Sequence, residues 1–201
     1  MARRGSGRGS LVELVVIVAV ALGIALLVQA LVVKPYRIPS GSMKPTLAIG
    51  QRVLVDRIGN RFGDPSVGDV VVFHPPAGAE RLGAQCGARQ PARQVCMRET
   101  RAPANVTFVK RIVAGPGDHI RVVGGHVVRN GRRVNEPYTL PCTDAGCDFP
   151  REATVPRGHW FMMGDNRGDS DDSRFWGPVP RDWIIGGAFA TYWPPGRVGL
   201  L

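Results

Sequence analysis

The chain has 201 residues and a formal net charge of +10, enough length for one domain with a buried core plus short accessory segments. That charge raises nucleic acid as a partner. Arg3, Arg4 and Arg8 lie in the first ten positions, the other basic residues are scattered, and no basic run is interleaved with aromatics, so no nucleic-acid role is expected.

Residues 11–33 are apolar except for Glu13 and Gln29, and these 23 positions compare with the about 20 that a helix needs to cross a bilayer. The arginines before them keep residues 1–10 as a cytoplasmic tail by the positive-inside rule. Residues 11–33 are then a single transmembrane anchor, and 34–201 are extracytoplasmic. A cleaved leader is the competing reading, because Val28-Gln29-Ala30 places small residues as at a cleavage site. The apolar run continues through Leu31, Val32 and Val33, which favours a retained anchor.

Just past the anchor comes Ile38-Pro39-Ser40-Gly41-Ser42-Met43-Lys44-Pro45-Thr46-Leu47. Pro39 and Pro45 stiffen this stretch and Gly41 permits a tight path. Taken alone it reads first as an ordinary linker leaving a membrane helix. Short strands rich in Val, Ile and Phe follow, bounded by Gly and Pro, over residues 52–56, 69–74, 107–113, 119–123, 126–129, 160–163 and 184–192. Asn130-Gly131 between two strand-like pieces predicts a type I′ hairpin. Beyond the anchor no helical pattern stands out.

Residues 75–105 and 137–151, the latter within a region 122–157, read as insertions too polar and broken for a core. They hold the four cysteines. The spacings of Cys86 and Cys96, and of Cys142 and Cys147, suit two local disulfides, which need an oxidising compartment; four free thiols are the alternative. No C-x-x-C pair or histidine spacing marks a zinc site.

Of 26 basic residues only Lys34, Lys44 and Lys110 are lysine. Arginine stays charged, whereas a buried lysine loses its proton readily. In a strand, Phe108, Lys110 and Ile112 share one face, so Lys110 lies on an apolar side where burial lowers its pKa. A neutral amine there can take a proton from a serine. A lysine snorkelling from a strand end is the ordinary alternative.

The segment from Met163 to Gly177 mixes acids, two arginines and two serines between apolar strands. It reads as a polar loop ordering a site through hydrogen bonds and an Asp172–Arg174 pair. A calcium loop is weaker, because EF-hand spacing is missing, and Arg167-Gly168-Asp169 reads as coincidence rather than an adhesion signal. A Ser–His–Asp triad finds no histidine in a distinctive motif among His74, His119, His126 and His159. Lys44 as base lacks Ser-x-x-Lys spacing.

Together these segments resemble the bacterial type I signal peptidases. Ser40-Gly41-Ser42-Met43 with Pro45-Thr46-Leu47 looks like the family's nucleophile box. Gly68-Asp69-Val70-Val71-Val72-Phe73 is similar to its second motif, and the run from Lys110 to Asp118 to its lysine box. Gly164-Asp165-Asn166-Arg167, with Ser170, Asp172, Ser173, Arg174, Trp176 and Gly177, resembles its last box.

The resemblance implies a mostly β, barrel-like catalytic domain of the signal peptidase and LexA-type protease fold, behind one transmembrane helix. It implies Ser42 as nucleophile and Lys110 as general base. Ser170 would orient Lys110, and Ser40 with the Ser42 backbone N–H would form the oxyanion hole. Asp172 and Arg174 would be structural supports. Substrates would be secreted preproteins cut after small residues at the third and first positions before the bond, and no metal or cofactor would be used. Membrane lipid and the protein-export machinery are the other expected partners. A self-cleaving repressor relative is disfavoured by the anchor and by the lack of a DNA-binding region. A catalytically dead assembly or pilus factor is disfavoured by the presence of both Ser42 and Lys110.

Overall fold

The structure is a computed structural model that describes residues 7–59, 63–80, 86 and 92–201. For residues 7–10, 27–31 and 145 it describes the backbone alone. Helix α1 spans Gly7–Leu31, and its side chains from Leu11 to Leu26 are all exposed. Among the described residues no helix is long and apolar enough to cross a membrane. Part of the anchor expected over residues 11–33, the side chains of 27–31, lies outside the described residues.

The rest is mostly β. The strands are β1 (Val33–Arg37), β2 (Arg52–Asp56), β3 (Val70–Phe73), β4 (Phe108–Ala114), β5 (His119–Val123), β6 (His126–Arg129), β7 (Arg132–Arg133), β8 (Phe149–Thr154), β9 (His159–Met163), β10 (Val179–Pro180), β11 (Ile184–Trp193) and β12 (Gly199–Leu200). They form two sheets whose named ladders are all antiparallel. One runs β1-β2-β11-β3-β4-β9-β10 with β12 on β11, and the other runs β7-β6-β5-β8. Helix α2 (Ser173–Trp176) is a single turn beside β9.

Central strand β3 is buried on both faces, as its unbroken Val-Val-Val-Phe sequence anticipates. Val71 and Phe73 pack with Ile112, Trp160, Met162 and Trp176. Val70 and Val72 pack on the other face with Val53, Val55, Ile38, Met43 and Leu47. Met43 and Leu47 are almost wholly buried, and each such side chain stabilises by about 1.5–3 kcal/mol. They flank the Ser42 turn and nail it to the sheet. A third cluster joins the sheets through Val113, Ile120, Val122, Phe149, Phe161 and Met163.

The seven strands expected from sequence are present with ends shifted by a residue or two at most. At the β6–β7 turn Asn130 and Gly131 have φ of 51° and 77°, the left-handed pair a type I′ hairpin needs. The expected disulfides Cys86–Cys96 and Cys142–Cys147 both form.

The segments read as insertions contribute more to the core than their composition implied. Val95 and Cys96 are buried, as is Phe149 at the start of β8. Their apolar residues come singly among Gly, Pro and Arg and show no periodicity. Burial comes instead from distant partners: β8 pairs with β5, and Gln94 bridges to Arg151. Strand β1 was likewise hidden, because Val33 ends the apolar run and Pro35 interrupts the rest.

Candidate active site

Three described pieces converge on one cavity of about 300 Å³. The Ile38–Met43 turn supplies Ser40 and Ser42, and the start of β4 supplies Thr107 to Lys110. The loop after β9 supplies Asp169 and Asp171. Three of the side chains singled out in the sequence, Ser40, Ser42 and Lys110, therefore line the same space although Lys110 lies far along the chain.

Ser42 is 9% and Lys110 4% exposed, so both are shielded yet border the cavity. Of the three lysines only Lys110 is buried; Lys34 and Lys44 are exposed. Burial lowers the Lys110 pKa to about 8, against the opposing pull of the Asp172, Asp171 and Asp169 carboxylates. The Lys110 Nζ lies 5.9 Å from the Phe108 ring centroid. Ser40 and Ser42 hydroxyls are 3.3 Å apart, and either can donate.

The Ser42 turn is held from the backbone. The Asn166 N–H donates to the Ser42 carbonyl at 3.0 Å, and the Asn166 side-chain amide donates to the Gly41 carbonyl at 3.2 Å. Gly164 lies directly beneath. A Cβ there would collide with the Ser42 carbonyl oxygen and with the Ser170 side chain.

Arg174 and Asp172 form a fully buried pair, with Arg174 Nε donating to Asp172 Oδ1 at 2.7 Å and Nη2 to Oδ2 at 2.8 Å. Burial alone would raise the Asp172 carboxyl pKa; Arg174 overrides this and holds it below the usual range. Asp172 also accepts the Gly164 N–H at 3.1 Å. Arg174 donates to the Ser170 and Arg167 carbonyls, at 3.0 and 2.8 Å, and to the Gly146 carbonyl. The pair thus fixes the backbone on either side of Ser170. The Ser170 hydroxyl itself is buried and has no hydrogen-bond partner among the described residues, so the bond to Lys110 that the resemblance implied is not formed here.

A second buried bracket was not foreseen. Asp165 accepts both Nε and Nη2 of Arg111, and also the Thr46 hydroxyl at 2.5 Å. A third joins Arg167 to Glu136 and to the Gly125 carbonyl. Arg111 carried one usable signal, since it faces away from Lys110 by strand alternation. Thr46 and Glu136 carried none; Glu136 is a lone acid 31 positions from its partner. None of the four histidines lines the cavity. Among the described residues no cluster of three or more metal-ligating side chains occurs.

Comparison with known proteins gives a family. A family described as "Signal peptidase, peptidase S26" has a model that matches residues 11–193. The chain is 37% identical over 189 residues to a "Probable signal peptidase I-1" of Synechocystis, covering 94% of this chain and 86% of that protein. It is 34% identical over 191 residues to a "Signal peptidase I" of Leptolyngbya laminosa, covering 95% and 84%. A solved signal peptidase I from Enterococcus faecalis aligns at 22% identity and a TM-score of 0.38, over 62% of this chain and 97% of that one; so loose a likeness adds no argument.

Proposed function

The chain belongs to the signal peptidase family, peptidase S26, and is a protease of that family; from that premise we propose that it is a membrane-anchored serine endopeptidase that cuts N-terminal signal peptides from secreted preproteins with a Ser42/Lys110 dyad. The observation that carries the reading is the shared cavity: a shielded serine and the chain's only buried lysine, its amine lowered to about 8, border the same space.

In this mechanism neutral Lys110 takes the Ser42 hydroxyl proton as Oγ attacks the scissile carbonyl carbon. The Ser40 hydroxyl and the Ser42 backbone N–H donate to the oxygen that becomes negative. When the tetrahedral species collapses, the C–N bond breaks and Lys110 returns the proton to the leaving amine, which is the new N-terminus of the mature protein. Water then attacks the acyl-enzyme by the same route and frees the signal peptide carboxylate. Ser170, whose backbone is held by Arg174, has a free hydroxyl to steer Lys110. Asp172 and Arg174 support by fixing backbone.

The substrate side follows from strand pairing. Strand β9 pairs with β4 only from Arg111 onward, while β3 pairs from Phe108. One edge of β4 from Phe108 to Lys110 is therefore open beside Ser42, and an extended peptide can add there through main-chain hydrogen bonds. Ile38, Met43 and Phe108 give the cavity apolar walls suited to small side chains. The apolar run at residues 11–33 supports an anchor, with residues 1–10 cytoplasmic and the catalytic domain outside. The two disulfides support an oxidising location. Membrane lipid and the export machinery are the partners this placement brings near.

The test is cleavage of a preprotein bearing Ala-x-Ala before the junction by the purified full chain in detergent, with Ser42→Ala alongside. Cutting after the second alanine by the wild type and none by the variant is expected. Equal cutting by both would reject Ser42 as nucleophile.

A further inference from the structure

The cavity that holds Ser42 and Lys110 is also lined by two carboxylates, Asp169 and Asp171. Neither is among the residues that carry the family resemblance, and the mechanism above uses neither. Asp171 is half-buried and takes no hydrogen bond or ion pair among the described residues. Its neighbour Asp172 differs, since Arg174 and the Gly164 N–H take up that carboxylate. Asp169 is exposed and receives only a long 3.5 Å contact from the Asn166 amide. Its Oδ2 lies 3.3 Å from where a Cβ on Gly41 would stand, beside the turn that carries the nucleophile. Both carboxylates also act electrostatically on Lys110. They therefore mark the catalytic end of the cavity, whereas Ile38 and Phe108 form apolar wall.

Two carboxylates with no ion-pair partner among the described residues, one half-buried and one exposed at the rim of the cleft, bias the field on whatever enters it. In a chain of net charge +10, they make the cavity a local reversal of sign that a substrate meets together with Lys110. We propose that Asp169 and Asp171 form a charge-selecting subsite, which favours preproteins with a lysine or arginine at the second residue before the scissile bond or at the first or second after it, and disfavours aspartate or glutamate there. The inference rests on the Ser42/Lys110 cavity being the peptidase site. Attraction of one charge and repulsion of the other, each modest near solvent, together give roughly a tenfold difference in kcat/KM.

The experiment uses the full chain in detergent and a set of Ala-x-Ala preproteins. Lysine, alanine or glutamate is placed at the second residue before the cut and at the first and second after it. The expected result is about a tenfold preference for lysine over glutamate in at least one of these places. Asp169→Asn with Asp171→Asn should bring that ratio near one, and Asp169→Lys with Asp171→Asn should invert it. Asp182→Asn, exposed and outside the cavity, should leave it unchanged. The ratio is internal to each enzyme, so a general loss of folded protein does not move it. Cleavage of all substrates with no charge preference, or a preference that survives the double variant, would overturn the subsite while leaving the dyad standing. Failure to cut even the alanine substrate would overturn the dyad reading and the subsite with it.

Discussion

Arg111 grips Asp165 through a two-pronged ion pair, Nε to Oδ1 at 2.9 Å and Nη2 to Oδ2 at 2.8 Å, on the side of β4 opposite to Lys110. The two neighbours thus divide the strand's work by alternation. Lys110 faces the cavity, where its amine is desolvated. Arg111 faces the loop after β9 and binds the residue just before Asn166, which in turn holds the Ser42 carbonyl. The Asp165 side chain is fully buried, and the Thr46 hydroxyl adds a third bond to it.

Arg111→Ala is therefore expected to destabilise the protein by about 3 kcal/mol, because it strands a buried carboxylate. Arg111→Lys should recover part of the loss, keeping charge without the planar fork. Urea unfolding of the full chain in detergent measures both. A loss below ~0.5 kcal/mol for Arg111→Ala would show that solvent reaches Asp165.

Gly164→Ala should lower kcat/KM by about 100-fold while the protein stays folded. The added methyl presses on the Ser42 carbonyl oxygen and on Ser170, and small displacements of reacting groups are that costly. Steady-state kinetics with a thermal melt separates the two effects. Unchanged kinetics would mean that the turn yields without moving the nucleophile.

The Lys110 amine sets a pH signature. With a pKa of about 8, only about a tenth is neutral at pH 7. Activity should rise with pH and reach half its maximum near pH 8. Stability carries the same sign. Below about pH 8 both folded and unfolded states hold the proton, and the burial penalty is present in full. Between about 8 and the ordinary 10.5 the unfolded state holds more protons, so stability increases with pH. Lys110→Met should then stabilise the folded chain at pH 7 by about 2–3 kcal/mol while abolishing cleavage. A less stable Lys110→Met protein would contradict a desolvated amine.

The Cys142–Cys147 bridge lies against the loop that carries Arg167 and Gly168, and Gly146 inside it accepts from Arg174. Replacing both cysteines by serine should cost about 2 kcal/mol, the entropy of a short closed loop. A lower melting temperature with a matching fall in kcat is expected. A melting temperature equal to that of the wild type would show that the loop is held without the bridge.

The sequence revealed what is local and periodic. Valine-rich strands, the Asn130-Gly131 turn and the closely spaced cysteine pairs could all be read without partners. Lys110 could be read because lysine is rare in this chain and alternation put it on an apolar face. Bonds between distant positions left no such trace. Nothing near Thr46 points to Asp165, and nothing near Glu136 points to Arg167. Strand β8 was missed because Pro150, Arg151 and Glu152 hide an element whose burial comes from pairing with β5. For Ser170, the family's motif gave the position but not the state of its hydroxyl, which is buried and unpaired among the described residues.

The division of labour between Ser42 and Lys110 is the central claim, and the rate of Ala-x-Ala preprotein cleavage by Lys110→Arg measures it most directly. Arginine keeps the charge and much of the length but cannot give up its proton. The account predicts that cleavage falls below detection from pH 7 to pH 10 in a protein that is still folded. A Lys110→Arg enzyme that cuts at a rate comparable to the wild type, or whose rate still rises through pH 8, would contradict it.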